Sequence, residues 1–193
     1  MIIAITGGIG AGKSVVSSIL RVAGYGVYDC DSRAKELMNT SVAIKQALTS
    51  KLGGDIYSGG TLNRQALSNI IFNDSNALVF VNSVVHPAVR DDIKLWVEQQ
   101  DRAPVFIETA ILNESGLNTM VDEVWNVVAP IETRIARVMN RNSTTREKVL
   151  ERIAQQQERP QCDNIKVIDI INDNNIPLLP QLANALSHCN LGL

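Results

Sequence analysis

The chain opens on an unbroken apolar run, MIIAIT, that stops at Gly7-Gly8. A run of strand length with no polar alternation predicts a strand buried on both faces. From Ala11 to Ala23 the apolar positions Val15, Val16, Ile19, Leu20 and Ala23 recur at helical spacing, and Gly24 ends that helix. YGVYDCD predicts a second short strand running out at Asp29. SRAKELMN (32–39) and VAIKQALTSKL, which precedes Gly53-Gly54, predict two helices, and Asp55 to Gly60 a loop. A longer helical stretch is expected from Asn63 to about Gln100. It is expected to break near Asn73-Asp74 and again at His86-Pro87, where proline lacks a backbone donor. PVFIETAIL predicts a third buried strand, VDEVWNVVAP a fourth and IKVIDIIN the last. Glu132 to Asn142 reads as a helix. Thr144 and Glu147 have capping-box spacing, so another helix should start there and run to about Gln157. Leu178 to Leu186 closes the chain as a helix.

Strands thus alternate with helices and lack polar alternation. That pattern predicts an α/β fold with a parallel sheet covered by helices on both faces. At 193 residues, with no low-complexity linker or internal repeat, one domain carrying inserted helical lobes fits best. The composition, 45% hydrophobic and 20% charged, is that of an ordinary soluble globular protein. A net charge of −2 and no dense Lys/Arg block argue against a nucleic-acid partner. No apolar run approaches the roughly 20 residues that span a bilayer, so no membrane segment is expected. Cys30, Cys162 and Cys189 are widely spaced, and His86 and His188 form no metal-ligand pattern. The cysteines read as small buried thiols of a cytoplasmic protein.

Gly7-Gly8-Ile9-Gly10-Ala11-Gly12-Lys13-Ser14 satisfies GxxxxGK[ST] between a buried strand and an amphipathic helix. Glycines let the backbone curl so that successive N–H groups face phosphate oxygens. The helix N-terminus adds partial positive charge. Lys13 supplies a mobile charge for the β- and γ-phosphates, and the Ser14 hydroxyl is placed to ligate Mg²⁺. A nucleoside triphosphate with magnesium follows.

Three chemistries compete for such a loop: a small-molecule kinase, a GTP switch and a motor ATPase. Neither Asn-Lys-x-Asp nor Asp-x-x-Gly occurs, which disfavours the switch. The acidic pair Asp122-Glu123 precedes its apolar run instead of following it, which disfavours the motor. For a kinase, the stretch YDCDSRAKEL matters. Asp29 and Asp31 stand where a strand gives way to a helix, and ligands of open α/β sheets bind outside the carboxyl ends of strands. Phosphoryl transfer to a hydroxyl needs a carboxylate that orients it and takes its proton. Asp31 is expected in that role; the alternative is that both aspartates serve as N-cap or turn residues. Arg134, Arg137 and Arg141, spaced three and four apart, share a helical face and could close over a triphosphate. Arg146, Arg152 and Arg159 follow. The alternative for each is a solvated ion pair with Glu132, Glu147, Glu151 or Glu158.

With these residues in view, the chain resembles the dephospho-CoA kinase family along nearly its whole length. TGGIGAGKS is similar to the family's TGGIGSGKS/T, with Ala11 for serine, and Asp29-Cys30-Asp31 to its Asp-Ala-Asp. GTLNRQALSNIIFND (60–74), VNSVVHPAV (81–89), RIARVMNRN (134–142) and IINDNN (170–175) resemble further family segments. The family's Pro-Leu-Leu-Phe-Glu segment corresponds to Ala110-Ile111-Leu112-Asn113-Glu114, where proline and phenylalanine are missing and the glutamate is kept.

The resemblance implies that ATP phosphorylates the ribose 3′-hydroxyl of dephospho-CoA, with magnesium, in the last step of CoA synthesis. The other readings are a kinase of a different nucleoside or metabolite and a P-loop ATPase. It implies a P-loop nucleotide-kinase-like fold with a core at about 1–60, 101–133 and 160–193. A helical substrate lobe would occupy about 61–100 and a lid about 134–159. Asp31 would be the catalytic base. Gly8, Gly10, Ala11, Gly12, Lys13, Ser14 and Val15 would hold ATP. Arg137 would contact the nucleotide and Arg141 the reacting phosphate. Arg64 and His86 would belong to the substrate lobe, although a histidine before proline can equally serve the fold by bonding a freed carbonyl.

Overall fold

A computed structural model describes residues 1–156, 159–162 and 164–189. In chain order the elements begin with β1 (Ile2–Thr6), α1 (Lys13–Val22), β2 (Val27–Asp29), α2 (Cys30–Thr40) and α3 (Val42–Leu52). Next come β3 (Tyr57–Ser58), β4 (Thr61–Leu62), α4 (Arg64–Asn73) and α5 (Ser75–Glu98). The chain continues with β5 (Val105–Glu108), β6 (Glu123–Val128), α6 (Ile131–Asn142), α7 (Arg146–Ala154), β7 (Lys166–Ile171) and α8 (Leu178–Cys189). It divides into two compact units, Met1–Tyr28 with the residues from Gln100 onward, and Asp29–Gln99.

The first unit is built on a five-stranded sheet of order β2-β5-β1-β6-β7, with parallel β1–β5, β1–β6 and β6–β7 ladders. Consecutive residues Ile3, Ala4 and Ile5 are all 0% exposed, as expected of a strand covered on both faces. On one face Ile3, Ile5, Phe106, Trp125 and Ile170 pack with Val16 and Leu20 of α1 and Leu182 and Ala185 of α8. Phe106 makes an edge contact with Tyr25 (5.6 Å between centroids) and a tilted one with Trp125 (5.0 Å). Phe106→Ala should therefore cost about 3–5 kcal/mol in denaturant unfolding, by lost transfer energy plus a cavity. A loss below about 1 kcal/mol would contradict this packing.

The acidic pair Asp122-Glu123 lies at the amino end of β6, away from the strand ends where ligands bind. Asp122 accepts the Ile2 N–H (2.7 Å), and buried Glu123 accepts the Trp125 indole N–H (2.8 Å) and pairs with Lys166 (3.1 Å). These acids hold the sheet together.

The second unit is helical. The helical lobe expected at about 61–100 takes in the chain from Asp29, because α2 and α3 pack on α5 together with α4. Three sequence expectations change. The break at His86-Pro87 does not occur, since α5 runs through Pro87. Ala77, Val81, Val85, Val89 and Ile93 form one buried stripe, whose packing outweighs the bond that proline removes. The loop at 55–60 contains a 3₁₀ turn (Gly54–Ile56) and a small β3–β4 hairpin. Gly59 and Gly60 carry its turn at φ 56° and 80°, left-handed values that favour glycine. The helix expected to start at Thr144 is capped one residue later, at Thr145. Glu147 accepts its own N–H and the Thr145 hydroxyl, which holds its carboxyl below the ordinary range. The expected end of that helix at Gln157 and the partner Glu158 lie outside the described residues. Among the described residues no helix is long and apolar enough to cross a membrane.

Candidate active site

β1 delivers the glycine loop at its carboxyl end, and the loop runs directly into α1. Gly12 occupies the N-cap of α1 at φ 100°, so it caps with backbone alone. The Val15 N–H donates to Gly12 O (3.0 Å), and the Lys13 and Ser14 amides before it stand at the positive end of the helix dipole without an intrahelical acceptor. Ser14 and Val15 are exposed there, whereas Ala11 is buried. The Lys13 ammonium folds back over the loop and donates to Gly7 O (2.8 Å) and Gly8 O (3.4 Å).

The outer side of the loop is tied down carbonyl by carbonyl. Arg134 Nε donates to Ile9 O (2.9 Å), and Arg137 Nη1 to Gly10 O (3.4 Å) and Ala11 O (3.3 Å). Asn172 Nδ2 donates to Ala11 O (2.8 Å), and Gln156 Oε1 accepts the Ile9 N–H (2.7 Å). A β-carbon at Gly8 would run into the Arg134 guanidinium, and one at Gly10 into the Arg134 backbone. At Gly8 the contact is with the end of a flexible side chain, whereas Gly10, at φ 78°, is required by close approach as well as by conformation. Arg134 and Arg137 thus meet the backbone of the loop, where the sequence had suggested a phosphate. Arg137 also donates to Asn174 Oδ1 (2.6 Å). Asp173 accepts the N–H groups of Asn175 (2.8 Å) and Ile176 (2.9 Å), which fixes this turn and holds its carboxyl below the ordinary range.

Register identifies an acid that the sequence reading passed over. Glu108 ends β5 and stands beside Ile5 of β1, two residues before Gly7. P-loop enzymes set a second acid on Mg²⁺ beside the loop Ser/Thr, and Glu108 is the candidate for it in this sheet. Its signal was an acidic residue closing the apolar run VFI. Gly7, Gly8 and Asn126 also line a cavity of about 100 Å³, with Glu114, Gln156 and Pro160 on its other sides. The Asn126 Oδ1 is buried there without a hydrogen-bond partner among the described residues.

The family model described as dephospho-CoA kinase matches residues 1–178 of the chain. The chain belongs to the dephospho-CoA kinase family. A dephospho-CoA kinase of Bacteroides fragilis is 36% identical over 187 residues, covering 96% of this chain and 91% of its own. One of Porphyromonas gingivalis is 43% identical over 155 residues, covering 80% and 77%. Among solved structures, the Thermus thermophilus protein TT1252 superposes with a TM-score of 0.84 at 32% identity, covering 100% of this chain and 98% of its own.

Other residues expected from the resemblance to dephospho-CoA kinases fall as follows. Asp29 is the N-cap of α2, accepting the Ser32 N–H (3.1 Å) and hydroxyl (2.7 Å). Asp31 is exposed in the first turn of that helix and takes no part in its cap. Arg64 is the exposed first residue of α4, whose cap is Asn63. His86 is half-buried inside α5. Arg141 is exposed in the last turn of α6, its Nε on the Asn142 side chain (3.1 Å). Arg146 forms a two-pronged pair with Glu132 (2.6 and 2.7 Å), and Arg159 pairs with Asp169 (3.5 Å). Arg146 follows the ion-pair alternative with a named partner, whereas Arg159 pairs with an aspartate outside that set. Asn172 falls in the segment IINDNN without a role having been given to it, and Gln156 was missed, because nothing local marks a residue that bonds a loop over a hundred positions away.

Proposed function

We propose that this protein transfers the γ-phosphoryl group of ATP to the ribose 3′-hydroxyl of dephospho-CoA, giving CoA and ADP in the last step of CoA biosynthesis. One observation carries this reading: a glycine loop with its carbonyls bonded on the outer side, in a member of the dephospho-CoA kinase family. Within the stretch Gly10 to Val15, the amides of Gly10, Gly12, Lys13 and Ser14 would grip the triphosphate, and Lys13 would leave its carbonyls to neutralise the β- and γ-oxygens.

Magnesium would be held by Ser14, with Glu108 organising its waters. No group of three acidic, His or Cys ligands exists among the described residues. That donor set fits Mg²⁺, which keeps several waters and takes one or two protein oxygens plus phosphates. Bound there, the ion would neutralise charge building on the bridging oxygens. Asp31 would orient the attacking hydroxyl and take its proton. Arg64 and His86 would serve dephospho-CoA binding, and Arg137 the nucleotide through the loop that it braces. The inferred setting is the cytoplasm.

The test is ADP release by purified protein with dephospho-CoA, nucleosides or water as acceptor. Release confined to dephospho-CoA supports the reading, and fast release in water alone refutes it. Arg141, solvent-exposed at the end of α6, would reach the transferring phosphoryl on closure. Arg141→Ala should lower kcat by roughly 10²- to 10³-fold, the cost of one lost charge-stabilising donor. Its melting temperature should stay that of the parent. A variant that unfolds instead would assign Arg141 to the fold.

A further inference from the structure

Asn172 follows β7 and is 7% exposed. Its backbone N–H donates to Val128 O (2.8 Å), continuing the β6–β7 ladder by one residue. Its side chain is used at both ends: Nδ2 donates to Ala11 O (2.8 Å) and Oδ1 accepts from Arg137 Nη2 (3.4 Å). A trans peptide holds its C=O and N–H pointing opposite ways. Drawing the Ala11 carbonyl outward therefore turns the Gly12 N–H inward, to the side where the loop would meet phosphate. The peptide needs an external hold because its second residue is glycine, which tolerates either sign of φ. Gly12 itself stands at φ 100°, and a β-carbon on it would overlap the Asn172 amide. Glycine and asparagine are fitted to one another here, and Arg137 supports the same carbonyl from the side (3.3 Å).

We propose that Asn172 is a positioning residue for the triphosphate of ATP: its amide donor locks the Ala11–Gly12 peptide with the N–H in the phosphate cradle. The role demands a donor toward Ala11 and an acceptor toward Arg137, a combination that aspartate lacks at equal volume. It rests on residues 7–14 being the ATP-phosphate cradle, so the test separates the two ideas.

Binding of MgATP and of dephospho-CoA is measured separately for the parent, Asn172→Ala, Asn172→Asp and Lys13→Ala, with melting temperatures alongside. Asn172→Ala should weaken MgATP roughly tenfold, the equivalent of about one hydrogen bond. Asn172→Asp should weaken it further, because a carboxylate would face the Ala11 carbonyl. Dephospho-CoA affinity should stay within twofold of the parent, as an order-of-magnitude bound on a local effect. In the parent the Gly12 amide resonance should shift on adding MgATP, a readout independent of whether either variant folds. MgATP affinity unchanged in Asn172→Ala overturns the proposal, as does equal weakening of both substrates or a silent Gly12 amide. If Lys13→Ala loses MgATP while the Asn172 variants keep it, the brace alone fails. If Lys13→Ala also keeps it, the cradle reading fails with it.

Discussion

Lys13→Ala should lower kcat/KM for ATP by about 10³-fold while leaving the protein folded. The ammonium is the one full charge in the glycine loop, and in this structure it rests on the Gly7 and Gly8 carbonyls (2.8 and 3.4 Å). Those bonds are exchanged for water when the lysine is removed, at a net cost of about 1.5–3 kcal/mol each at most. The effect on the transition state is separate. A unit charge about 4 Å from a phosphate oxygen is worth about 4 kcal/mol at the effective dielectric of a partly buried site. That corresponds to a rate factor of about 10³. The measurement is kcat/KM for ATP with dephospho-CoA in excess, beside a thermal melt. Turnover within about tenfold of the parent would show that the loop does not hold the reacting phosphates.

The same loop shows which features a sequence can reveal. Its eight residues are contiguous, and both flanks announce themselves: MIIAIT as a buried strand and Val16, Ile19 and Leu20 as a helical stripe. Local patterns of this kind located all five strands of the large sheet and most helix ends. Pro87 misled because its cost is local, whereas the buried stripe from Ala77 to Ile93 that overrides it is a property of packing. The arginines at 134, 137 and 141 were placed on one helical face correctly by spacing, yet spacing does not say what that face meets. Two of them meet carbonyls. Asn172 and Ala11 lie 161 positions apart, and Gln156 and Ile9 lie 147 apart. An asparagine after an apolar run looks like any strand end. Glu108 was hidden for a related reason: strand order, which makes β5 the neighbour of β1, is not written in either strand.

Asp31→Asn should lower kcat by roughly 10²- to 10⁴-fold, the usual contribution of a general base. The ATP dissociation constant should hardly change. Asparagine keeps the size and can still accept a hydrogen bond from a ribose hydroxyl, but it cannot take the proton when the phosphoryl group arrives. The fold should survive, because the α2 cap belongs to Asp29, which holds the Ser32 N–H and hydroxyl (3.1 and 2.7 Å). Asp29→Asn is the informative companion, since asparagine caps helices about as well as aspartate. That variant should keep both its melting temperature and most of its turnover. The pair of aspartates therefore separates cleanly: one carboxylate is committed to the backbone of its own helix, and the exposed one two residues later is available to a substrate. Should Asp29→Asn lose turnover while Asp31→Asn retains it, the two roles are exchanged. Should both retain it, the proton leaves the ribose hydroxyl by way of some other group, and the carboxylates of this turn serve only to start a helix.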